Sequence, residues 1–259
     1  VFSRNNKEKI GKGYALDFLL EQIDRNGGLD RYDAFMVFDA DNLLKPDYMR
    51  NMNRVHSDGY EVFCGYRNTK NFASNWLSSG YALWYIHEST HMNRSRMGMG
   101  TGCTVSGTGF GFSRAVLKKA GGWKFFTLTE DLEFSAWCAI NGIKIGYCHD
   151  AMLFDEQPLK FSQSWRQRTR WAQGGLQLSF RYIGGLMKSL FTGVGWQRHT
   201  CMETTALSFW GFALGCLSGL IGTITISFFL KLPIFLGVLL LSLPVSYIGT
   251  MTLGIITLM

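Results

Sequence analysis

A chain of 259 residues holds one sizeable α/β domain and a membrane appendage. Its net charge of +7 is local: residues 157–202 carry seven basic and no acidic side chains, and the remainder balances at 19 of each sign. A basic belt that leads directly into apolar sequence suits a cytoplasmic membrane flank and anionic lipid, and argues against a nucleic-acid-binding face.

The six cysteines form no Cys-x-x-Cys pair and have no histidine at zinc spacing, so reduced, buried thiols are expected rather than a disulfide framework. The chain starts at Val1 and stops inside an apolar stretch at Met259, so a fragment lacking both natural ends is expected.

In chain order, Gly13 to Asp24 reads as a helix with Ala15, Leu16, Leu19, Leu20 and Ile23 on one face. Ala34 to Phe38 is a continuous apolar run, as expected of a strand buried on both faces. Pro46 opens a helix reaching about His56. Glu61 to Tyr66 reads as a strand, and Asn75 to Arg94 as one long helix rich in aromatic residues. Thr104 to Phe112 reads as strand and loop, followed by a short helix from Ser113. Glu130 to Ile140 is predicted helical, ended by Asn141-Gly142, and Ile143 to Cys148 is predicted as a strand. This alternation predicts a mostly parallel sheet covered on both sides.

Beyond it, Phe161 to Tyr182 mixes Phe161, Trp165, Trp171, Leu176, Leu178 and Phe180 with arginines and glutamines, the texture of a helix at a membrane interface. Thr204 to Leu230 and Leu232 to Met259 are uncharged runs of 27 and 28 residues, each long enough to cross a bilayer. Gly211, Gly215, Gly219 and Ser242 suit helix contact in lipid. The expected organisation is an α/β domain over 1–156, a basic amphipathic interfacial segment over 157–203, and two transmembrane helices over 204–259.

Three short motifs carry candidate chemistry. Asp39-Ala40-Asp41 ends a predicted strand, where open α/β sheets bind ligands, and two carboxylates one residue apart can reach one Mg²⁺ or Mn²⁺. The same pair also suits a strand-to-loop turn held by local hydrogen bonds. A strand followed by Asp-x-Asp opens haloacid-dehalogenase-like phosphatases too, but those want Thr or Val where Leu43 stands.

Thr129-Glu130-Asp131 opens a helix. Acidic residues there are explained by the helix dipole and by a Thr127-x-x-Glu130 capping box, or by Asp131 acting as a general base. Gln167-x-x-Arg170-Trp171 offers a guanidinium fork for a diphosphate and a flat ring for a sugar; an interfacial Trp with a lipid-facing Arg is the plainer reading. Lys12, among glycines at a helix start, is a phosphate contact or a solvated lysine. Gly107-Thr108-Gly109 is a loop able to approach a ligand closely, and His149-Asp150 reads as a hydrogen-bonded pair after a strand.

Taken together, Gly-Lys-Gly-x-Ala-Leu (Gly11 to Leu16), Asp-Ala-Asp (Asp39 to Asp41), Ser-Gly-Thr-Gly (Ser106 to Gly109), Thr-Glu-Asp (Thr129 to Asp131) and Gln-Arg-Thr-Arg-Trp (Gln167 to Trp171) resemble the processive, membrane-embedded branch of the inverting family-2 glycosyltransferases. That group includes cellulose, hyaluronan and poly-N-acetylglucosamine synthases. The similarity runs from about Arg4 to Gly175, and Arg170 to Gly175 looks most like the poly-N-acetylglucosamine synthases.

The resemblance implies a GT-A fold and a UDP-sugar donor. It implies Asp41 on Mg²⁺ or Mn²⁺ with Asp39 beside it, Lys12 on the nucleotide, and Arg170 on the diphosphate. It implies Asp131 as base with Glu130 lining the acceptor site, and Gln167, Trp171, Gly107 and Thr108 on the acceptor side. The reaction implied is one in-line displacement with inversion, on a growing polysaccharide, coupled to export. The resemblance places the protein as a multi-pass plasma-membrane protein with its catalytic domain in the cytoplasm, working with the bilayer and an accessory export subunit.

Two departures stand out. The resemblance implies a uracil-binding strand and a further acidic motif ahead of the Val1 position, and without them the sequence is expected to bind donor poorly or not at all. No gating loop of the cellulose-synthase kind lies between Tyr182 and Met202, which argues against cellulose. The rival readings are a transferase adding one sugar to a lipid carrier, a phosphatase, and a non-catalytic membrane scaffold.

Overall fold

In a computed structural model, residues 2–5, 8–206, 220–222, 224–225 and 227–229 are described. The chain divides into two compact units, Val1–Met202 and Glu203–Met259. Among the described residues no helix is long and apolar enough to cross a membrane. Of the two predicted spans, 204–230 lies mostly outside them and 232–259 wholly so.

The first unit is α/β. Its helices are α1 (Lys12–Arg25), α2 (Tyr48–Ser57), α3 (Trp76–His87), α4 (Arg94–Gly98), α5 (Arg114–Ala120), α6 (Glu130–Ile140) and α7 (Phe161–Thr192); α8 (Gly195–Ala206) begins in this unit and continues past Met202. Its strands are β1 (Ala34–Val37), β2 (Leu43–Leu44), β3 (Val62–Thr69), β4 (Phe110–Ser113) and β5 (Ile145–Asp155), in the order β1-β4-β3-β5-β2.

The expected mostly parallel sheet is corrected: only β3 and β5 run parallel, and the other neighbouring pairs of this sheet are antiparallel. The reason is β4. It lies between β1 and β3 and runs against both, so the chain enters the sheet's middle from the opposite end. β1, expected to be buried on both faces, is mostly half-buried and hydrogen-bonds to β4 alone among the described residues.

Coverage on both faces does hold. Val62, Cys64 and Tyr66 of β3 point into a core with Phe110, Phe112, Trp123, Phe125 and Phe134. Phe63 points the other way, into Tyr48, Met52, Val55 and Leu153. Alternation along one strand thus feeds two cores, as a two-residue period requires. Cys64, Cys103, Cys138, Cys148 and Cys201 are buried thiols outside any disulfide, as expected; Cys216 lies outside the described residues.

Three helix and strand expectations change in detail. The long helix predicted to Arg94 is capped by Asn75, whose carboxamide accepts from Leu77 N and Ser78 N, but it breaks after His87 into a π-helical turn, Glu88–Asn93. Such turns concentrate at functional sites. The strand predicted to end at Cys148 continues to Asp155. Its register skips from Cys148 to Met152 opposite Gly65 and Tyr66, so a bulge interrupts the strand.

The Thr127-x-x-Glu130 capping box does not form. Thr129 occupies the cap position without a side-chain bond, and Thr127 N–H donates instead to Glu133 Oε2 at 2.8 Å. Glu133 is fully buried and also accepts from Tyr182 Oη at 3.1 Å and Arg181 Nη1 at 2.9 Å, which clamps α7 to α6. Glu133→Ala leaves those donors unpaired and is expected to lower unfolding free energy by about 3 kcal/mol, with Glu133→Gln losing less. Thermal unfolding of the detergent-purified protein measures the difference, and equal melting temperatures for parent and Glu133→Ala would remove the clamp from the account.

Candidate active site

The strand directions bring the motifs together. β1 pairs with β4 so that Val37 faces Phe110, which sets Asp39 beside the loop Ser106–Gly109 that leads into β4. β3 also runs against β4, with Cys64 facing Phe110, so the carboxyl end of β3 reaches the same loop. β5 runs with β3 and ends at Asp155 opposite Thr69. One edge of the sheet therefore collects three carboxyl ends and one loop.

That loop is the hub. Gly109 has φ +67°, and a Cβ there would stand 1.9 Å from the Leu153 side chain, so only glycine fits. Gly109 N–H donates to Val37 O at 2.9 Å. Thr108, buried, accepts at Oγ1 from Asp39 N–H at 2.9 Å and donates to Asn42 Oδ1. Lys12, the first residue of α1, donates through Nζ to Gly107 O at 2.6 Å and to Asp39 Oδ1 at 2.5 Å. Lys12, Asp39, Gly107 and Thr108, four residues singled out in the sequence, thus form one connected cluster.

Asp131 meets this cluster from α6. Its carboxylate accepts from Leu132 N at 2.9 Å and from Gly107 N–H. Burial raises its proton affinity; the two N–H groups and the charges of Lys12 and Arg67 oppose that. Glu130, 8% exposed, is pushed up to about 7, first by burial and then by the Asp131 charge, against the pull of Lys12 and Arg170. The N–H donors, Lys12 and the nearby Arg67 favour the charged form of Asp131, whereas burial and the Asp131 charge favour the protonated form of Glu130.

Beside this cluster opens a groove of about 710 Å³ lined by residues that include Asp41, Glu156, Gln163, Gln167 and Arg170. Asp41 is exposed on it, its carbonyl held by Lys70 Nζ at 2.7 Å. Gln167 Oε1 is buried with no hydrogen-bond partner. Trp171 does not line the groove. Its half-buried ring packs edge-on against Tyr81, 6.0 Å between centroids, in a cluster with Leu77 and Tyr85 that ties α7 to α3.

α7 is also pressed against the start of α6. A Cβ on Gly174 would stand 2.5 Å from Thr129 Oγ1, and Leu128 N donates to Gln177 Oε1 at 3.1 Å. Gln167 and Arg170 are thereby set at a fixed distance along the helix from Thr129-Glu130-Asp131.

His149 and Asp150 lie in the β5 bulge and bond to Tyr147 Oη and Arg54, apart from these contacts, in line with the expected hydrogen-bonded pair. Four residues of the cluster were not singled out in the sequence: Asn42, Arg67, Glu88 and Asp155. Arg67 donates to Asp155 through two nitrogens and to Ser106 O at 3.0 Å, and Ser106 Oγ donates to Glu88 Oε2 at 3.0 Å. A signal existed for Asp155: it is an acid ending a strand, visible once the strand is read through the bulge.

Residues 34–252 match the profile of glycosyl transferase family group 2. Among curated proteins the chain is similar to poly-beta-1,6-N-acetyl-D-glucosamine synthase of Staphylococcus aureus (strain COL), 28% identical over 185 residues, covering 71% of this chain and 43% of that protein. It is also similar to the probable glycosyltransferase YdaM of Bacillus subtilis, 32% identical over 85 residues, 33% of this chain and 20% of that protein. The chain thus spans less than half the length of these relatives. Among solved structures it is similar to the mannosyltransferase PcManGT from Pyrobaculum calidifontis in complex with GDP-Man and Mn²⁺, at 16% identity and TM-score 0.46, covering 85% of this chain and 61% of that one. Since the profile covers most of the sequence, including both carboxylate motifs, the chain belongs to glycosyl transferase family group 2, and its α/β domain is a glycosyltransferase domain of GT-A-like type.

Proposed function

We propose that this domain transfers a sugar, N-acetylglucosamine first among candidates, from a UDP donor to the end of a growing polysaccharide with inversion. The observation that carries the reading is the junction of Asp131 with the Lys12–Asp39 pair through the single residue Gly107. A base and a cation-bearing donor site share one loop, as a displacement at the anomeric carbon needs. The relatives named for poly-beta-1,6-N-acetyl-D-glucosamine synthesis support the choice of sugar.

In this reading Asp131 takes the acceptor proton as the acceptor oxygen attacks. Lys12 and Arg170 stabilise the diphosphate as negative charge develops on it. Gln167 Oε1, buried without a partner, accepts a hydroxyl of the acceptor sugar.

The donor set also fits a hard divalent cation. Lys12 takes Oδ1 of Asp39, and Asp41 faces the groove as an exposed carboxylate, which suits Mg²⁺ or Mn²⁺ held by one or two carboxylates together with a diphosphate. Asp41 with Asp39 would hold such an ion, which would supply Lewis-acid stabilisation of the leaving group.

Membrane attachment, processive elongation and export belong to the same proposal. α7 buries Ser164, Gly174, Leu178 and Leu186 while leaving Phe161, Trp165, Phe180 and Phe191 exposed, and seven basic residues with no acid lie within 157–202. Exposed rings among basic residues suit the lipid headgroup layer of a plasma membrane, with the domain on the cytoplasmic side.

The test is UDP release by membranes carrying the full-length protein, across a panel of UDP-sugars with Mn²⁺ present. Release with UDP-N-acetylglucosamine above all others, with products of many sugar units, is expected. Single-sugar products on lipid would replace elongation with lipid-carrier glycosylation, and release with no donor would favour a scaffold role.

A further inference from the structure

Arg67 stands at the carboxyl end of β3 with its side chain only 14% exposed. Its guanidinium uses every face. Nε donates to Asp155 Oδ2 at 2.9 Å, Nη2 pairs with the same oxygen, Nη1 donates to Ser106 O at 3.0 Å, and the plane lies 3.8 Å from the centroid of the buried Tyr85 ring. A guanidinium so held fixes direction as well as charge. What it fixes is the peptide before Gly107. The free corner beside Gly107 is bounded on one side by Arg67 Nη1 and on the other by Asp131 Oδ2: a Cβ there would stand 3.5 Å and 3.7 Å from them. Asp155 is itself braced by Asn42 Nδ2 and Gln157 Nε2, and Ser106 is braced by Glu88.

We propose that Arg67 is a positioning residue for sugar transfer: anchored on Asp155 and Tyr85, it holds the Ser106–Gly107 peptide so that Gly107 N–H faces Asp131 and Gly107 O faces Lys12. The proposal rests on the reading of Asp131 as the base. It assigns Arg67 two effects, orientation of the loop and a positive charge near the carboxylate. The charged groups facing Asp131 are Lys12 from α1, Arg67 from β3, Glu88 from the π-helical turn and Glu130 from α6 itself. Loss of the Arg67 charge therefore raises the proton affinity of Asp131.

The experiment compares Arg67→Gln, Arg67→Lys and Asp155→Asn with the parent and with Asp131→Asn in the full-length protein, with UDP-N-acetylglucosamine as donor. The readouts are kcat, donor KM, the pH dependence of kcat, and melting temperature. Arg67→Gln is expected to lose roughly 100-fold in kcat with donor KM changed less than about threefold, and to move the acid limb upward by about one pH unit. Arg67→Lys keeps the charge and loses the fork, so the acid limb stays in place and part of kcat returns. Asp155→Asn loosens the guanidinium without removing it, so kcat falls and the limb stays.

A folded Arg67→Gln protein with kcat within threefold of the parent and an unmoved acid limb would overturn the proposal. If Arg67→Gln does not fold, wild-type kcat in both Arg67→Lys and Asp155→Asn would overturn it instead. Full activity in Asp131→Asn would sink the base reading, whereas an inactive Asp131→Asn beside an unaffected Arg67 series would sink only the role given to Arg67.

Discussion

Asp131→Asn is expected to reduce kcat by roughly 10²- to 10⁴-fold, the range a positioned general base supplies, while the protein melts no earlier than the parent. The two halves of that result have separate causes. An asparagine oxygen still accepts from Leu132 N and Gly107 N–H, so the hydrogen bonds that seat residue 131 survive. Burial already penalises the carboxylate, so the neutral amide relieves a desolvation cost in place of adding one. Activity goes because an amide takes no proton from an acceptor hydroxyl. Full activity in the variant would remove Asp131 from the mechanism, and a collapse in melting temperature would make it a structural residue.

The neighbouring acid sets a pH signature that runs in two directions. Glu130 in the fold holds its proton up to about pH 7, against an ordinary glutamate value of 4.5. The folded chain thus binds more proton than the unfolded chain between those values, and stability falls as pH rises through that window, by about 3 kcal/mol for this group. With Asp131 as the proposed base, transfer is expected to rise with pH as Asp131 ionises. Glu130→Gln is expected to flatten the stability slope between about pH 4.5 and 7.

The sequence made α6 legible to the residue, because Thr129 and Asn141-Gly142 bracket an apolar, acid-led segment with recognisable start and stop signals. The candidate site was legible as residue types at fixed local spacing: Lys12, Asp39, Thr108 and Asp131 fall in one cluster. Direction in the sheet was not legible. An apolar run looks alike in either orientation, and reading alternation as crossovers predicts a mostly parallel sheet, whereas β4 lies antiparallel to both neighbours. The π-helical turn after His87 was hidden for a similar reason, since an aromatic-rich segment keeps helical texture through one wide turn.

The pairing of Arg67 with Asp155 was not legible on other grounds. They are 88 residues apart, each unremarkable alone, and they become a pair only because β3 and β5 run parallel in a bulged register. Trp171 shows the reverse case, a residue whose spacing suggests a ring platform and whose ring packs edge-on against Tyr81. Local spacing thus picked out the residues that cluster, and long-range topology decided which neighbours surround them.

Asp41→Ala is expected to separate the carboxylates of the first motif by role. Chelation with EDTA should abolish transfer in the parent, and Mn²⁺ or Mg²⁺ should restore it. In Asp41→Ala restoration should fall short by roughly 10²- to 10³-fold, the equivalent of several kcal/mol of lost charge stabilisation. The same change should leave melting within about 0.5 kcal/mol of the parent, since the Asp41 side chain is exposed and its carbonyl, not its carboxylate, is what Lys70 holds. Asp39 differs. Its carboxylate pairs with Lys12 and its N–H is held by Thr108, so Asp39→Asn disturbs α1 and the central loop as well as any ion. A metal titration of both variants tells the roles apart: a higher metal requirement confined to Asp41→Ala places the ion on Asp41, and an unchanged requirement there moves it onto Asp39.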